Sequence, residues 1–114
     1  MDKMQKKMAE DAEKIAAAAG IPVSRDRRST LLYRQDRSPW DIFDPQGDMN
    51  DAFEAAEKTG LFSETFWRTL GMDELGETWA VFEQDGHVKK SITDNYTTPA
   101  LAVCAAILEL KENQ

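Results

Sequence analysis

The stretch that most constrains the fold is Thr98 to Leu110 (TPALAVCAAILEL), which up to Leu108 belongs to the longest run in the chain without a charge, Glu109 being the first to interrupt it. A run this apolar must be buried. Thr98 can accept a bond from a free first-turn N–H, and Pro99 loses nothing at the first helical position, so the pair predicts a helix start. Ala100, Val103, Ile107 and Leu110 then share one stripe and Leu101, Cys104 and Leu108 the next, an apolar face wider than a surface helix needs. The stretch defines a core but carries no group suited to chemistry.

A chain of 114 residues is expected to form one domain, residues 1–114, with a real core. Its single cysteine, Cys104, can form neither an internal disulfide nor a zinc site, so a cytoplasmic location is expected. The first twenty residues mix Lys with Asp and Glu and do not read as a signal peptide. No run approaches the roughly 18 apolar residues of a membrane span. The net charge of −7 is unevenly spread. Met1 to Trp40 is +3, Asp41 to Asp85 is −10, and the remainder is neutral. An acidic block of that density repels nucleic acid and favours a partner with a basic surface, although solubility alone accounts for many acidic surfaces.

Asp2 to Ala19 reads as an amphipathic helix with Met4, Met8, Ala12, Ile15 and Ala19 on its thin apolar stripe, and Gly20 is placed to end it. Ile21 and Pro22 turn the chain. Around a short β-like run, Thr30 to Tyr33, lie five of the six arginines: Arg25, Arg27, Arg28, Arg34 and Arg37. They suit a phosphate or carboxylate ligand, or they pair internally with the acidic block; the overall acidity favours internal pairing. Trp40, Ile42 and Phe43 sit in a proline-bounded loop and are expected to cover an edge of the core. Asp48 should cap a helix from Met49 to Thr59 that buries Met49, Ala52, Phe53 and Ala56, with Asp51 in its first turn and Gly60 stopping it. Asp41, Asp44, Asp48 and Asp51 lack the alternating spacing of a calcium loop, so no metal is expected.

Ser63 is placed to cap one or two helical turns holding Phe66, Trp67 and Leu70, with Gly71, Met72 and Gly76 in a loop. Adjacent on a helix, Phe66 and Trp67 point about 100° apart and do not readily share one narrow buried face; an exposed aromatic here would suit an interface, but core filling is the favoured reading. Thr78 to Gln84 and His87 to Thr93 flank Asp85-Gly86, a strong two-residue hairpin signal. Centred there, the turn sets Phe82 opposite Lys89 and Val81 opposite Lys90. The first strand is apolar on both sides and suits the middle of a sheet. The second, with Lys89 and Lys90, suits a charged edge. The expected fold is α+β: a small antiparallel sheet of about three strands packed against three helices, sandwich-like.

The order of these features, WDIFDP, then DMNDAFEAAEKTGLF, then TWAVF, then TPALAVCAAIL, resembles the phage α-β-α sandwich domain, a family of small phage proteins. Asp48, Asn50, Asp51 and Ala52 match its helix-opening motif. Pro99, Leu101, Ala102, Cys104, Ala106, Ile107 and Leu108 match its closing helix. The resemblance spans most of the chain and implies a phage or prophage origin and a sheet between helices. It implies no catalytic residue. The arginine-rich strand and the stretch from Leu61 to Gly76 depart from the family pattern.

No catalytic set is legible either. The only histidine, His87, flanks a turn, Cys104 lies on a helix expected to be buried, and no glycine-rich phosphate loop is present. A non-enzymatic protein without cofactor is therefore expected. It would bind a host or phage protein, anti-CRISPR inhibition of a bacterial defence system being the most concrete version, with no direct contact to nucleic acid or membrane. Its candidate contact residues are Asp41, Asp44, Asp48, Asp51, Glu54, Glu57, Glu64, Phe66, Trp67, Asp73 and Glu74. The alternatives are a nucleotide or small-anion module built on Arg25, Arg27, Arg28, Arg34 and Arg37, and a phage assembly accessory that forms a regular homo-oligomer.

Overall fold

A computed structural model describes residues 3–26, 30–37, 41–63 and 67–112. Among them the chain is α+β, with three helices, α1 (Lys3–Ala19), α2 (Met49–Thr59) and α3 (Pro99–Glu112), and five strands, β1 (Val23–Arg25), β2 (Leu32–Arg34), β3 (Arg68–Met72), β4 (Trp79–Asp85) and β5 (Val88–Ser91). The strands form two antiparallel sheets, β1-β2 and β3-β4-β5. The helices pack on one another, α3 also covers β4, and α1 touches β2.

Both expected caps form. The Thr98 hydroxyl accepts the Leu101 N–H at 3.2 Å, and the Asp48 carboxylate accepts that of Asn50 at 2.9 Å. Gly60, with φ +73°, closes α2 in the left-handed conformation that a residue with a Cβ resists. The apolar faces are turned relative to the expected stripes. In α1 the buried residues are Ala9, Ala12, Ile15, Ala16 and Ala19, leaving Met4 and Met8 exposed. In α2 they are Asp51, Ala52, Ala55 and Ala56, and Phe53 lies out in solvent. The reason is close packing: α2 meets α3, whose Ala102 and Ala106 are also fully buried. An alanine seam brings helix backbones together where a phenylalanine ring does not fit.

The three-stranded sheet corrects two expectations. The chain from Arg68 to Met72 is strand β3, not a helical turn and loop. It pairs with β4 so that Leu70 stands opposite Val81 on the core side and Gly71 opposite Ala80 on the other. The position is tight, because a Cβ on Gly71 would stand 3.2 Å from Cε2 of the Phe82 ring, which would have to shift by a few tenths of an ångström to admit it. The β4–β5 register is also shifted. Asp85 pairs with Val88 and Phe82 with Ser91, so the turn is centred on Gly86-His87. Gly86 has φ +62° and His87 is not among the residues of positive φ, the pattern of a type II′ turn with glycine first. A shift of two residues keeps every side chain on its expected face. Lys89, now diagonal to Phe82, sets its ammonium 4.7 Å from the ring centroid. As expected, β4 is the central strand and β5 an exposed edge. The two faces of β4 are closed differently: Val81 joins the helical core, whereas Ala80 is buried outside that cluster, on the face that carries the Phe82 ring.

A mutual pair of backbone bonds between Trp79 and Tyr96, 2.7 and 2.8 Å, ties the segment before α3 to the sheet. Phe43 is 2 % exposed and bonds to the free side of β2, its N–H donating to Leu32 O, so it covers the core as expected; Ile42 beside it is exposed. Trp40 lies outside the described residues.

Candidate functional site

The arginine segment and the acidic segment meet at the end of β2. Arg34, the last residue of that strand, is 2 % exposed and reaches the flank of α2. Its guanidinium makes two forks on adjacent edges. Nε and Nη2 donate to Asp36 at 3.0 and 2.8 Å, and Nη1 and Nη2 donate to Glu54 at 2.8 and 2.7 Å. Planar guanidinium matches carboxylate geometry twice over, which lysine does not. Glu54 also takes Arg37 at 3.0 Å and Lys58 at 3.5 Å, and Arg37 reaches Asp41 at 3.4 Å. Hydrogen bonds from Arg34 hold the Asp36 and Glu54 carboxyls below the usual carboxylate range, and those same bonds push the guanidinium of Arg34 further up.

The structure therefore places the three described arginines among the five anion-binding candidates against carboxylates of the same chain. Arg34 and Arg37 converge on Glu54, and Arg25 pairs with Glu13 of α1. Arg25, Arg34 and Arg37 line an open groove of about 720 Å³ together with Ser24 and Tyr33. Arg27 and Arg28 lie outside the described residues.

The acidic candidates divide into structural groups and surface groups. Asp48 caps α2. Asp51 is buried and its carboxylate accepts the Asp44 N–H at 2.9 Å, fixing the loop before the helix; burial pushes its carboxyl up. Asp44 accepts the Gly47 N–H at 3.2 Å. Asp41 and Glu54 belong to the arginine cluster. Asp73 organises the β3–β4 turn, accepting the Glu77 N–H and the Thr78 hydroxyl, each at 2.8 Å, and these bonds hold its carboxyl low. Glu57 and Glu74 are exposed. Glu64 and Phe66 lie outside the described residues.

Large apolar groups stand exposed at both ends of the β3-β4-β5 sheet. Trp67, just before β3, is 73 % exposed with φ +51°, a conformation that non-glycine residues rarely adopt, and its carbonyl accepts the Gln84 N–H at 3.1 Å. Val88 is exposed beside the β4–β5 turn. At the other end the Asp73-organised turn holds Leu75, 79 % exposed, between Glu74 and Glu77. Sequence reasoning missed Leu75, and its only local signal was an apolar residue inside the polar run DELGE.

His87 is exposed in a turn, whereas Cys104 is 3 % exposed inside α3, its thiol pushed up to about 12 by burial. Among the described residues no group of three His, Cys, Asp or Glu is arranged to hold a metal ion, and no helix is long and apolar enough to cross a membrane. In comparison with known proteins, no family model, no curated protein and no solved structure matches this chain.

Proposed function

We propose that the protein acts by non-catalytic binding to another protein, with Trp67 as a principal contact. The exposure of this side chain on a left-handed backbone carries the reading. Such a conformation costs on the order of 1–3 kcal/mol, and strain of this kind gathers at functional sites. Tryptophan is among the residue types that dominate binding energy once an interface dries. Leu75, flanked by Glu74 and Glu77, supplies an acidic and apolar second contact suited to a partner with a basic surface. The resemblance to small phage proteins supports a phage accessory role, with inhibition of a nucleic-acid-handling defence protein as its most specific form. The internal pairing of Arg25, Arg34 and Arg37 weighs against an anion-sequestering module.

The test compares affinity capture from a bacterial host lysate by the native chain and by the Trp67→Ala and Leu75→Asp variants at rising salt. A partner held by the native chain, released by salt and lost from both variants is expected. The same set of proteins captured by all three would overturn the reading.

A further inference from the structure

Strand β3 forms one edge of the three-stranded sheet, and its register decides which of its backbone groups face outward. The Gln84 N–H donates to Trp67 O at 3.1 Å and the Asp73 N–H to Thr78 O at 2.9 Å, so Trp67 and Asp73 turn towards β4. Bonded and non-bonded positions alternate along an antiparallel pair, which turns Thr69 and Gly71 the same way and leaves the N–H and C=O of Leu70 and Met72 pointing out of the sheet. The far side of β4 keeps this phase, since Trp79 bonds Tyr96 and the Ile92 N–H donates to Val81 O. Among the described residues no group bonds to the outward side of Leu70 or Met72. Both reach solvent, Leu70 in part and Met72 at 44 % exposure.

Two other edges are closed or guarded. Residues 41–43 run along β2, where the Arg34 N–H donates to Asp41 O and the Phe43 N–H to Leu32 O. Strand β5 carries Lys89 and Lys90 in exposed positions, the kind of charge that keeps an edge from pairing. Strand β3 has no such guard: Thr69, Leu70, Gly71 and Met72 are uncharged, and none of them is proline. Its one cation, Arg68, is folded back onto Leu61 O at 3.4 Å and Glu83 at 3.7 Å, with only 8 % of its side chain exposed.

We propose that this edge takes an added strand from a partner protein, an extended segment whose backbone completes the bonds of Leu70 and Met72. Trp67 and Leu75, read above as partner contacts, stand just beyond the two ends of β3, so the added strand rests on that reading and gives a shape to what they hold. From Trp67 to Asp73 an extended chain covers about 20 Å, room for about six residues. Running antiparallel, as the rest of the sheet does, the segment starts beside the exposed Glu74 and Glu77 and ends beside Trp67. Charge therefore calls for lysine or arginine at its start, and the indole for an apolar residue at its end. A second copy of β3 fits poorly. It would bring its Trp67 end to those glutamates with Arg68 as the nearest cation in sequence, and Arg68 is already turned back onto Glu83.

Amide hydrogen exchange of the full chain, followed by NMR, tests this with one probe: a synthetic peptide of two lysines followed by alternating threonine and valine, at about 1 mM. In the chain alone, the N–H groups of Leu70 and Met72 should exchange faster than those of Thr69 and Gly71. The peptide should slow Leu70 and Met72 about tenfold and leave Lys89 and Lys90 unchanged, and moving its lysines to the other end should weaken the effect. Met72→Pro removes one outward N–H and no bond to β4, and Thr69→Lys sets a guard at an exposed position. Both should lose the protection of Leu70, and Thr69→Lys carries the test alone if circular dichroism shows that the proline disturbs the fold. Leu70 and Met72 already slow in the chain alone, no slowing at that peptide concentration, or slowing that survives the variants would each overturn the added strand. Partner capture lost from Trp67→Ala but kept by Met72→Pro and Thr69→Lys would also overturn it, while leaving the binding reading intact. Slowing by the peptide, with capture indifferent to Trp67→Ala and Leu75→Asp, would uphold the strand and overturn Trp67 as a contact instead.

Discussion

Arg34 is the residue on which the largest single electrostatic cost rests. A guanidinium whose side chain is 1 % exposed is tolerable only because two carboxylates fork onto it. Replacing Glu54 by alanine removes one fork and leaves Arg37 and Lys58 without their shared acceptor. The expected loss is about 3 kcal/mol in a urea titration at neutral pH. Replacing both members of the pair, Arg34→Met with Glu54→Gln, should cost less than the single change, because no buried charge is then left short of a partner. A Glu54→Ala midpoint within about 0.5 kcal/mol of the native one would show that Arg34 is hydrated and not held by the pair. Cys104 gives a second residue-level expectation. With its thiol pushed up to about 12 and its side chain buried, alkylation at pH 8 should proceed only as fast as the chain opens, and denaturant should accelerate it; modification at the rate of a free cysteine would refute this. Internal pairing of the arginines was legible from the charge totals of the two segments. Which arginine is buried was not, because that depends on where α2 crosses the end of β2.

At the level of elements, what was legible was what is local. The starts of α2 and α3 follow from Asp48, Thr98 and Pro99, groups that act on N–H donors within three residues, and both were read correctly. Strand β3 was not, because the aromatics and leucine of FWRTL lie at helical spacing and Gly71 reads as a loop residue until the Phe82 ring is known to cross it. The buried faces of α1 and α2 were misplaced for a related reason. Sequence periodicity marks Met4, Met8 and Phe53 as core positions, whereas packing among three helices selects the alanines. The hairpin register gives a direct test. Asp85 is the last residue of β4, and Gly86 is the position needing positive φ. Gly86→Ala should therefore cost about 1 kcal/mol through left-handed strain, with nothing nearby for the added methyl to touch. Asp85→Val, at a strand position without positive φ, should cost far less, whereas a β-branched residue at the left-handed first position of a turn would be strained. Equal losses would restore the register centred on Asp85-Gly86.

For the whole molecule, the carboxylates set the acid limit of stability, and they do not all act in one direction. Asp36, Glu54 and Asp73 are held below the usual range, so the stability they contribute is complete above the unfolded carboxylate range and is lost as pH falls through their folded values. Asp51 runs the other way. Its ionised form is disfavoured by burial, so at neutral pH it costs stability, and that cost disappears as pH falls through its raised value, before the other three are protonated. The urea midpoint should therefore hold or rise slightly from pH 7 to about pH 5, then fall steeply below about pH 4, where Arg34 loses both partners and the remaining charges repel. Asp51→Asn keeps an oxygen that can accept the Asp44 N–H while discarding the charge. It should match or exceed the native stability at pH 7 and abolish any rise toward pH 5, leaving the steep acid limb where it was. If that limb instead moved with Asp51→Asn and stayed fixed in Glu54→Gln, the burial of Asp51, and not the two forks on Arg34, would be what decides how this fold fails in acid.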